Sequence, residues 1–435
     1  MSDSNINPKT VDALIANLKD SRERTLALID DLNSQQLIGP MLDTVNPLLW
    51  EIGHTAYFYE FWILRNLHGA ESFLDNADAL YDSINIAHND RWNLPLLTLE
   101  ETKTYMQQVL DAVINVLQSD KVSKQDIYLS RYGCFHEDMH TEAFTYTRRT
   151  LNYSAPKLPG CHFEHESNNV EILNGDVDIT GGEYLLGAAQ DINFCFDNEK
   201  WQHPVNVKPY SISRTATSYK EFANFVDDNG YSHQQFWSDE GWKWLQKNNV
   251  TVPNGWKKGA NNNWLIKQFD QWVAMPADAA VIHINWFEAN AWCNWAGRRL
   301  PSEAEWELAA SGSPHNINEK RLYPWGEQPP TYKHANMDSR TMGTINVNAL
   351  VEGDSAFGCR QMLGNTWEWV SDTFNPYPGF VADMYEDYSQ PLFGNTKVLR
   401  GGAWTTRSRM IRNTWRTYYG PDRNDVFAGF RSCKL

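Results

Sequence analysis

The sequence has no two cysteines in C-x-x-C spacing. Its six cysteines, Cys134, Cys161, Cys195, Cys293, Cys359 and Cys433, are scattered along 435 residues. That excludes a zinc ribbon and a dense disulfide framework, and it fits a reducing cytoplasm. No apolar run reaches the ~18–20 residues that a bilayer crossing needs, so no membrane partner is expected. The opening residues Met1-Ser2-Asp3-Ser4 carry neither a basic nor an apolar stretch, and no secretory signal is expected. Positive charge is in deficit: 38 Lys and Arg stand against 54 Asp and Glu, a formal net charge of −16. Phosphate contacts need a basic face, so no nucleic-acid partner is expected either. Internal repeats and low-complexity tracts are also missing. With 42% hydrophobic and 21% charged residues the chain is globular. Its length suits two to four domains at roughly 100–200 residues each.

Aromatic residues are in excess, with 19 each of Trp, Tyr and Phe. Such a chain either lines pockets for flat or cationic ligands or fills the core of an irregular fold with large rings.

The two halves differ in texture. Pro8 to Leu32 places Val11, Leu14, Ile15, Leu18, Leu26 and Ile29 at helical spacing. Asn46-Pro47 reads as the start of a second helix, with Asn46 as N-cap, that runs through His54 to about Leu67. Thr98-Leu99-Glu100-Glu101 has the form of a capping box for a third helix through Leu117. A fourth runs from near Lys124 through His136 and His140 to about Leu151. The expected N-terminal domain, residues 1–155, is therefore a four-helix bundle, an architecture that builds metal sites from facing helices. Residues 151–170 read as a connector. From 171 to 435 short apolar stretches alternate with Gly, Pro, Asn and Trp. Helices are expected there near Tyr219–Asp228, Trp286–Ala296 and Ser302–Ala310.

The segment His136-Glu137-Asp138-Met139-His140-Thr141-Glu142 carries the most chemistry. Residues i and i+4 share one helix face, so both imidazoles can meet one ion. His54 lies mid-helix in the same bundle, flanked by Trp50, Tyr57 and Phe58, where a solvated histidine would be out of place. Glu142 is close enough in sequence for a contact supporting a ligand, or for a fourth ligand. Three imidazoles suit zinc and non-haem iron(II) equally on ligand softness. The competing reading is three hydrogen-bonded core histidines.

The second half holds a series of motifs. These are Trp286 to Cys293, Gly297-Arg298-Arg299-Leu300-Pro301-Ser302-Glu303-Ala304-Glu305-Trp306-Glu307, Tyr323 to Gly326, Met362 to Trp369, Leu399 to Trp404 and Gly429-Phe430-Arg431. In this order they resemble the formylglycine-generating-enzyme (sulfatase-modifying factor) fold, a C-type-lectin-like α+β unit. Formylglycine generation is not implied, because Trp404 to Tyr419 lacks that enzyme's cysteine pair. A DinB-like bundle with His54 and H-x-x-x-H-x-E ahead of this domain resembles the ergothioneine- and selenoneine-type synthases over the whole chain. The resemblance implies a cytoplasmic non-haem iron(II) oxygenase that joins sulfur or selenium to the imidazole C2 of hercynine with O2. It implies Fe(2+) held by His54, His136 and His140.

Several positions depart from the sulfur-using branch. Its H-E-Q-Q-H glutamine is Met139 here. Its arginine pair for γ-glutamylcysteine reduces to Arg91, followed by Trp92. Its Arg-Asn-Trp-Asp stretch becomes Arg416-Thr417-Tyr418-Tyr419, without the acid. Guanidinium clamps give bidentate, charge-paired contacts, so their loss points to a neutral donor. The segments Tyr81 to Trp92, His136 to His140 and Phe196 to Trp201 look more like the selenoneine branch, which takes a selenosugar. Trp415, Tyr418 and Phe380 are the aromatic candidates for the trimethylammonium group, Trp92 and Tyr419 further donor contacts, and Tyr377 the proton donor. Three rivals stay open. One is a sulfoxide synthase using γ-glutamylcysteine or cysteine, with Arg407, Arg409 or Arg412 as the clamp. The others are a zinc-dependent DinB-type thiol transferase and a non-catalytic binding module. The sequence does not set the oligomeric state, a monomer being one option.

Overall fold

A computed structural model describes residues 7–161 and 172–435. Residues 162–170 of the connector expected over 151–170 therefore lie outside the described residues. The chain divides into two compact units, Met1–Pro159 and Gly160–Leu435. Among the described residues no helix is long and apolar enough to cross a membrane.

The first unit is helical. In chain order it holds α1 (Pro8–Ala27), the short α2 (Ser34–Ile38), α3 (Leu48–Tyr59), the short α4 (Ala77–Tyr81), α5 (Leu99–Leu117) and α6 (Lys124–Thr150). A wider, π-helical turn continues α3 over Glu60–Leu67. Leu14 and Leu18 from α1, Ile52 from α3, Val109 and Val113 from α5, and Phe144 from α6 form the buried apolar seam. The Thr98–Glu101 capping box forms as the sequence suggests, and Ser123 with Asp126 makes a second one at α6. Buried polar pairs fasten α1 to α6. Arg22 Nε donates to Glu137 at 2.8 Å, and the Ser21 hydroxyl to Asp138 at 2.9 Å.

Two helix ends differ from the sequence reading. The first helix stops at Ala27, not Leu32. Arg148 of α6 supplies the reason: it donates to the Leu28 carbonyl and to Asp31, both at 2.7 Å, so it satisfies the chain as it turns. Asn46 does not cap α3. Its side-chain oxygen accepts from Arg91 at 2.8 Å instead, and Pro47 stands at the cap without a side-chain bond.

The second unit carries small sheets. Asp176–Ile179, Tyr210–Ser213, Cys433–Lys434 and Arg298–Arg299 form one, in that order. Arg416–Tyr419, Lys397–Arg400, Trp367–Thr373 and Ala428–Gly429 form another. Helices Tyr219–Asp227, Trp286–Trp295 and Glu303–Ser311 match the expected ones within a residue or two, and each begins at a side-chain cap: Ser218, Asn285 and Ser302. Asp239–Lys247 is a further helix that periodicity did not reveal.

Register explains why the motifs of this half are scaffold. Arg400 lies opposite both Glu368 and Arg416 in the second sheet. Helix Glu303–Ser311 brings Glu303 and Glu307 to Arg400 at 2.8 and 2.6 Å, and Glu303 also takes Arg416 at 2.7 Å. Arg431 pairs with Glu368 at 2.6 Å, and the Trp306 indole donates to the same carboxylate at 2.7 Å. All of these groups are buried. Burial leaves each charge dependent on its partner. Glu368→Ala strands the Arg431 guanidinium and is expected to cost about 3–5 kcal/mol, read as a lower urea midpoint. Trp306, Trp367, Trp369 and Trp404 are nearly or fully buried as well. Part of the aromatic excess is therefore core material.

Candidate metal centre

His54 comes from the middle of α3, and His136 and His140 from successive turns of α6. Among the described residues these three are the only group of metal-ligating side chains that converges. One ligand atom from each lies within 4.8 Å of the others. Nε2 of His136 and Nε2 of His140 are 3.3 Å apart. That is close to the separation expected of two imidazoles sharing an ion at ~2.1 Å.

The neighbours fix the tautomers. His54 Nδ1 sits 2.8 Å from the Tyr81 carbonyl oxygen, which can only accept. The proton is therefore on Nδ1, and Nε2 presents a lone pair. His140 Nδ1 lies 2.6 Å from the buried Glu51 carboxylate, with the same consequence. The His136 ring stacks on Phe58, with centroids 4.0 Å apart. Trp50 stacks on His54 at 4.9 Å and 8°. Burial drives the His54 pKa down to about 3, with the neighbouring His140 adding to the shift. Burial and His140 likewise hold His136 well below its ordinary value. His54 and His136 are thus held as neutral imidazoles, the form that binds a metal.

Gly53 makes part of this geometry possible. A Cβ there would stand 2.2 Å from the Tyr81 ring. Only a glycine lets Tyr81 pack against α3, and its carbonyl then reaches His54.

Sequence reasoning missed Glu51 and the Tyr81 carbonyl. A backbone carbonyl leaves no trace in sequence. Glu51 does leave one: it is an acid in an otherwise apolar helical run, three residues before His54. The carboxylate on His140 belongs to Glu51, while Glu142 is buried farther along α6. Glu51→Ala is expected to weaken metal binding about 10–100-fold, the usual effect of losing a carboxylate behind a ligand. Chelator competition measures it.

The remaining candidates are distributed over both units. Met139 lies between the two α6 histidines and is half-buried. Arg91 donates to Asn46 and lies over Trp50, 4.1 Å from the ring centroid. The Trp92 indole donates to the Gly39 carbonyl at 3.1 Å. In the second unit, Tyr377 is buried beneath Arg416, whose guanidinium is 4.0 Å from its ring centroid. Its hydroxyl has no hydrogen-bond partner among the described residues, and burial raises its pKa well above the usual range. Trp415 packs edge-on against Trp367 at 4.9 Å. Tyr418 stacks on Phe374 at 4.1 Å, and Phe380 meets Phe393 edge-on at 5.1 Å. Tyr419 is half-buried, with the Arg423 guanidinium 5.1 Å from its ring centroid.

Comparison with known proteins bears on both units. Residues 17–142 match the DinB superfamily, and residues 163–434 match the sulfatase-modifying factor enzyme 1-like domain. The chain is similar to a hercynine oxygenase of Mycobacterium tuberculosis, at 34% identity over 96% of this chain and 97% of that one. A hercynine oxygenase of Mycolicibacterium thermoresistibile is 33% identical over 96% and 94% respectively. A formylglycine-generating enzyme of Thermomonospora curvata is 30% identical over 60% of this chain and 93% of its own.

Proposed function

This chain belongs to the hercynine oxygenase family, and we propose that it is a non-haem iron(II) enzyme that forms a carbon–chalcogen bond at the imidazole C2 of hercynine, with a selenosugar as donor. The observation that carries the reading is the convergence of three imidazoles, two of them oriented through Nδ1 by the Tyr81 carbonyl and the Glu51 carboxylate. His54, His136 and His140 would hold the ion. Zinc suits the same ligands but has no redox chemistry, which favours iron there for an oxygenase. The ion, when bound, supplies O2 activation and a soft centre for sulfur or selenium.

The chain's own residues do the rest. Holding hercynine and the donor at one centre makes their joining intramolecular. Trp415, Tyr418 and Phe380 offer ring surface to the trimethylammonium group. Met139, an apolar residue in place of the sulfur branch's glutamine, lies between the two α6 ligands in sequence, next to His140. Tyr377 Oη is the proposed proton source. Its burial keeps the phenol protonated, and its unpartnered hydroxyl has room in its hydrogen bonding for a substrate group.

The donor assignment draws on charge. Arg412 is buried against Glu199, its Nε 2.8 Å from the carboxylate. Arg407 is buried against Asp338 at 3.1 Å. Both guanidinium groups already have carboxylate partners inside the fold, which favours a donor without carboxylates of its own.

The test is an anaerobic incubation of the full chain with iron(II), hercynine and a selenosugar, followed by air and mass analysis. The selenium conjugate of hercynine is the expected product. Hercynine left unconsumed by iron-loaded protein in air would overturn the reading.

A further inference from the structure

We propose that Arg91 is a positioning residue of the metal centre, acting on His54 through Trp50, and not a clamp for donor carboxylates. The inference rests on the metal-site reading above.

A liganding imidazole needs two constraints. One fixes its rotation in the ring plane, and the other fixes its tilt. The Tyr81 carbonyl supplies the first for His54, at 2.8 Å from Nδ1. The face of Trp50 supplies the second, since the two rings lie within 8° of parallel with centroids 4.9 Å apart. Trp50 must then be held itself. Its indole nitrogen donates to the Leu80 carbonyl at 2.7 Å, and the Arg91 guanidinium lies 4.1 Å from its ring centroid. A guanidinium against an indole is the favoured cation–π pairing.

Arg91 also ties down the segments that carry these groups. Nη1 donates to Asn46 Oδ1 at 2.8 Å, just before α3 begins. Nη2 lies 3.4 Å from the Ser83 and Ile86 carbonyls, just after α4 ends. The helix that bears Trp50 and His54 and the chain that offers the Leu80 and Tyr81 carbonyls are therefore joined through one planar fork. A fork of that geometry distributes bonds that a lysine cannot. These Arg91 contacts, to Asn46, Ser83, Ile86 and Trp50, lead towards a ligand. A residue kept ready for a substrate carboxylate has no need of such a network.

The test uses Co(II) as a spectroscopic stand-in for iron, in the full chain and in Arg91→Met, Arg91→Lys, Trp50→Phe and the Arg91→Met/Trp50→Phe double variant. Chelator competition gives Co(II) affinity, visible absorption gives ligand-field bands, and iron-loaded enzyme gives KM for γ-glutamylcysteine, the donor whose carboxylates a clamp would hold. Arg91→Met is expected to weaken Co(II) about tenfold and to shift the bands. Arg91→Lys, which keeps the cation and is the milder fold perturbation, should shift them the same way by less. The double variant should be little worse than the more severe single one, because both act on one element. KM for the donor should stay within twofold. A KM raised tenfold with affinity and bands unchanged would establish the clamp and overturn the inference, as would fully additive effects of the two substitutions. Failure of the wild-type chain to take up Co(II) would be a different result: it removes the metal-site reading, and the inference with it.

Discussion

His54→Ala, His136→Ala and His140→Ala are each expected to abolish turnover and to weaken metal binding by about a thousandfold or more, or ~4 kcal/mol. Three imidazoles leave no redundant ligand. A site reduced to two no longer repays the ordering of the groups around it. Metal analysis after dialysis measures the loss, with His203→Ala in the second unit as a control that should keep full occupancy. Stability of the metal-free protein should separate the three variants. His140→Ala strands the buried Glu51 carboxylate, and His54→Ala strands the Tyr81 carbonyl. An unsatisfied buried acceptor costs about 1–3 kcal/mol, and more when charged. The His140 variant should therefore unfold at the lower urea concentration of the two. Full occupancy in His54→Ala would remove that residue from the site.

The site was legible where the chemistry resides in side chains at helical spacing. His136 and His140 announce themselves by their separation of four, and His54 by its apolar flanks. What could not be read is the part of the geometry made by backbone or by tertiary crossing. The Tyr81 carbonyl is invisible in sequence, and Gly53, which admits that tyrosine, looks like any helix-weakening glycine until the 2.2 Å approach is seen. Asn46 shows the opposite failure. Its side chain suits a helix cap, but Arg91, 45 residues away, binds it more strongly than local logic allows. The first helix was overrun for a similar reason: Arg148 holds the turn after Ala27, and periodicity is blind to it. In the second unit the motifs fixed the fold, yet Glu303, Glu307, Glu368, Arg400 and Arg431 turn out to bind one another. Recognisable motifs there report a buried ionic scaffold.

Given hercynine, iron(II), O2 and equal amounts of a selenosugar and γ-glutamylcysteine, the enzyme is expected to form the selenium conjugate in large excess. γ-Glutamylcysteine presents two carboxylates and an ammonium group, and burying them unpaired is costly. A binding site for it needs guanidinium groups and an acid. Here Arg91 is engaged with Asn46 and Trp50 and no second arginine lies near it in the sequence, and the family resemblance puts Tyr419 at the position of the acid. The substitutes offered by sequence are largely committed: Arg412 to Glu199, and Arg407 to Asp338. Drawing Arg412 towards a ligand would leave Glu199 buried and unpaired, so the cost falls on the fold as well as on the ligand. Each missing charge-assisted contact is worth ~1.5–3 kcal/mol. Two or three together amount to a discrimination of about 10²–10⁶ against the peptide. A neutral sugar loses nothing by their absence. Mass analysis of the products decides between the donors. Predominance of the sulfoxide conjugate would overturn the donor assignment while leaving the three-histidine centre and the choice of hercynine intact, because neither depends on which chalcogen arrives.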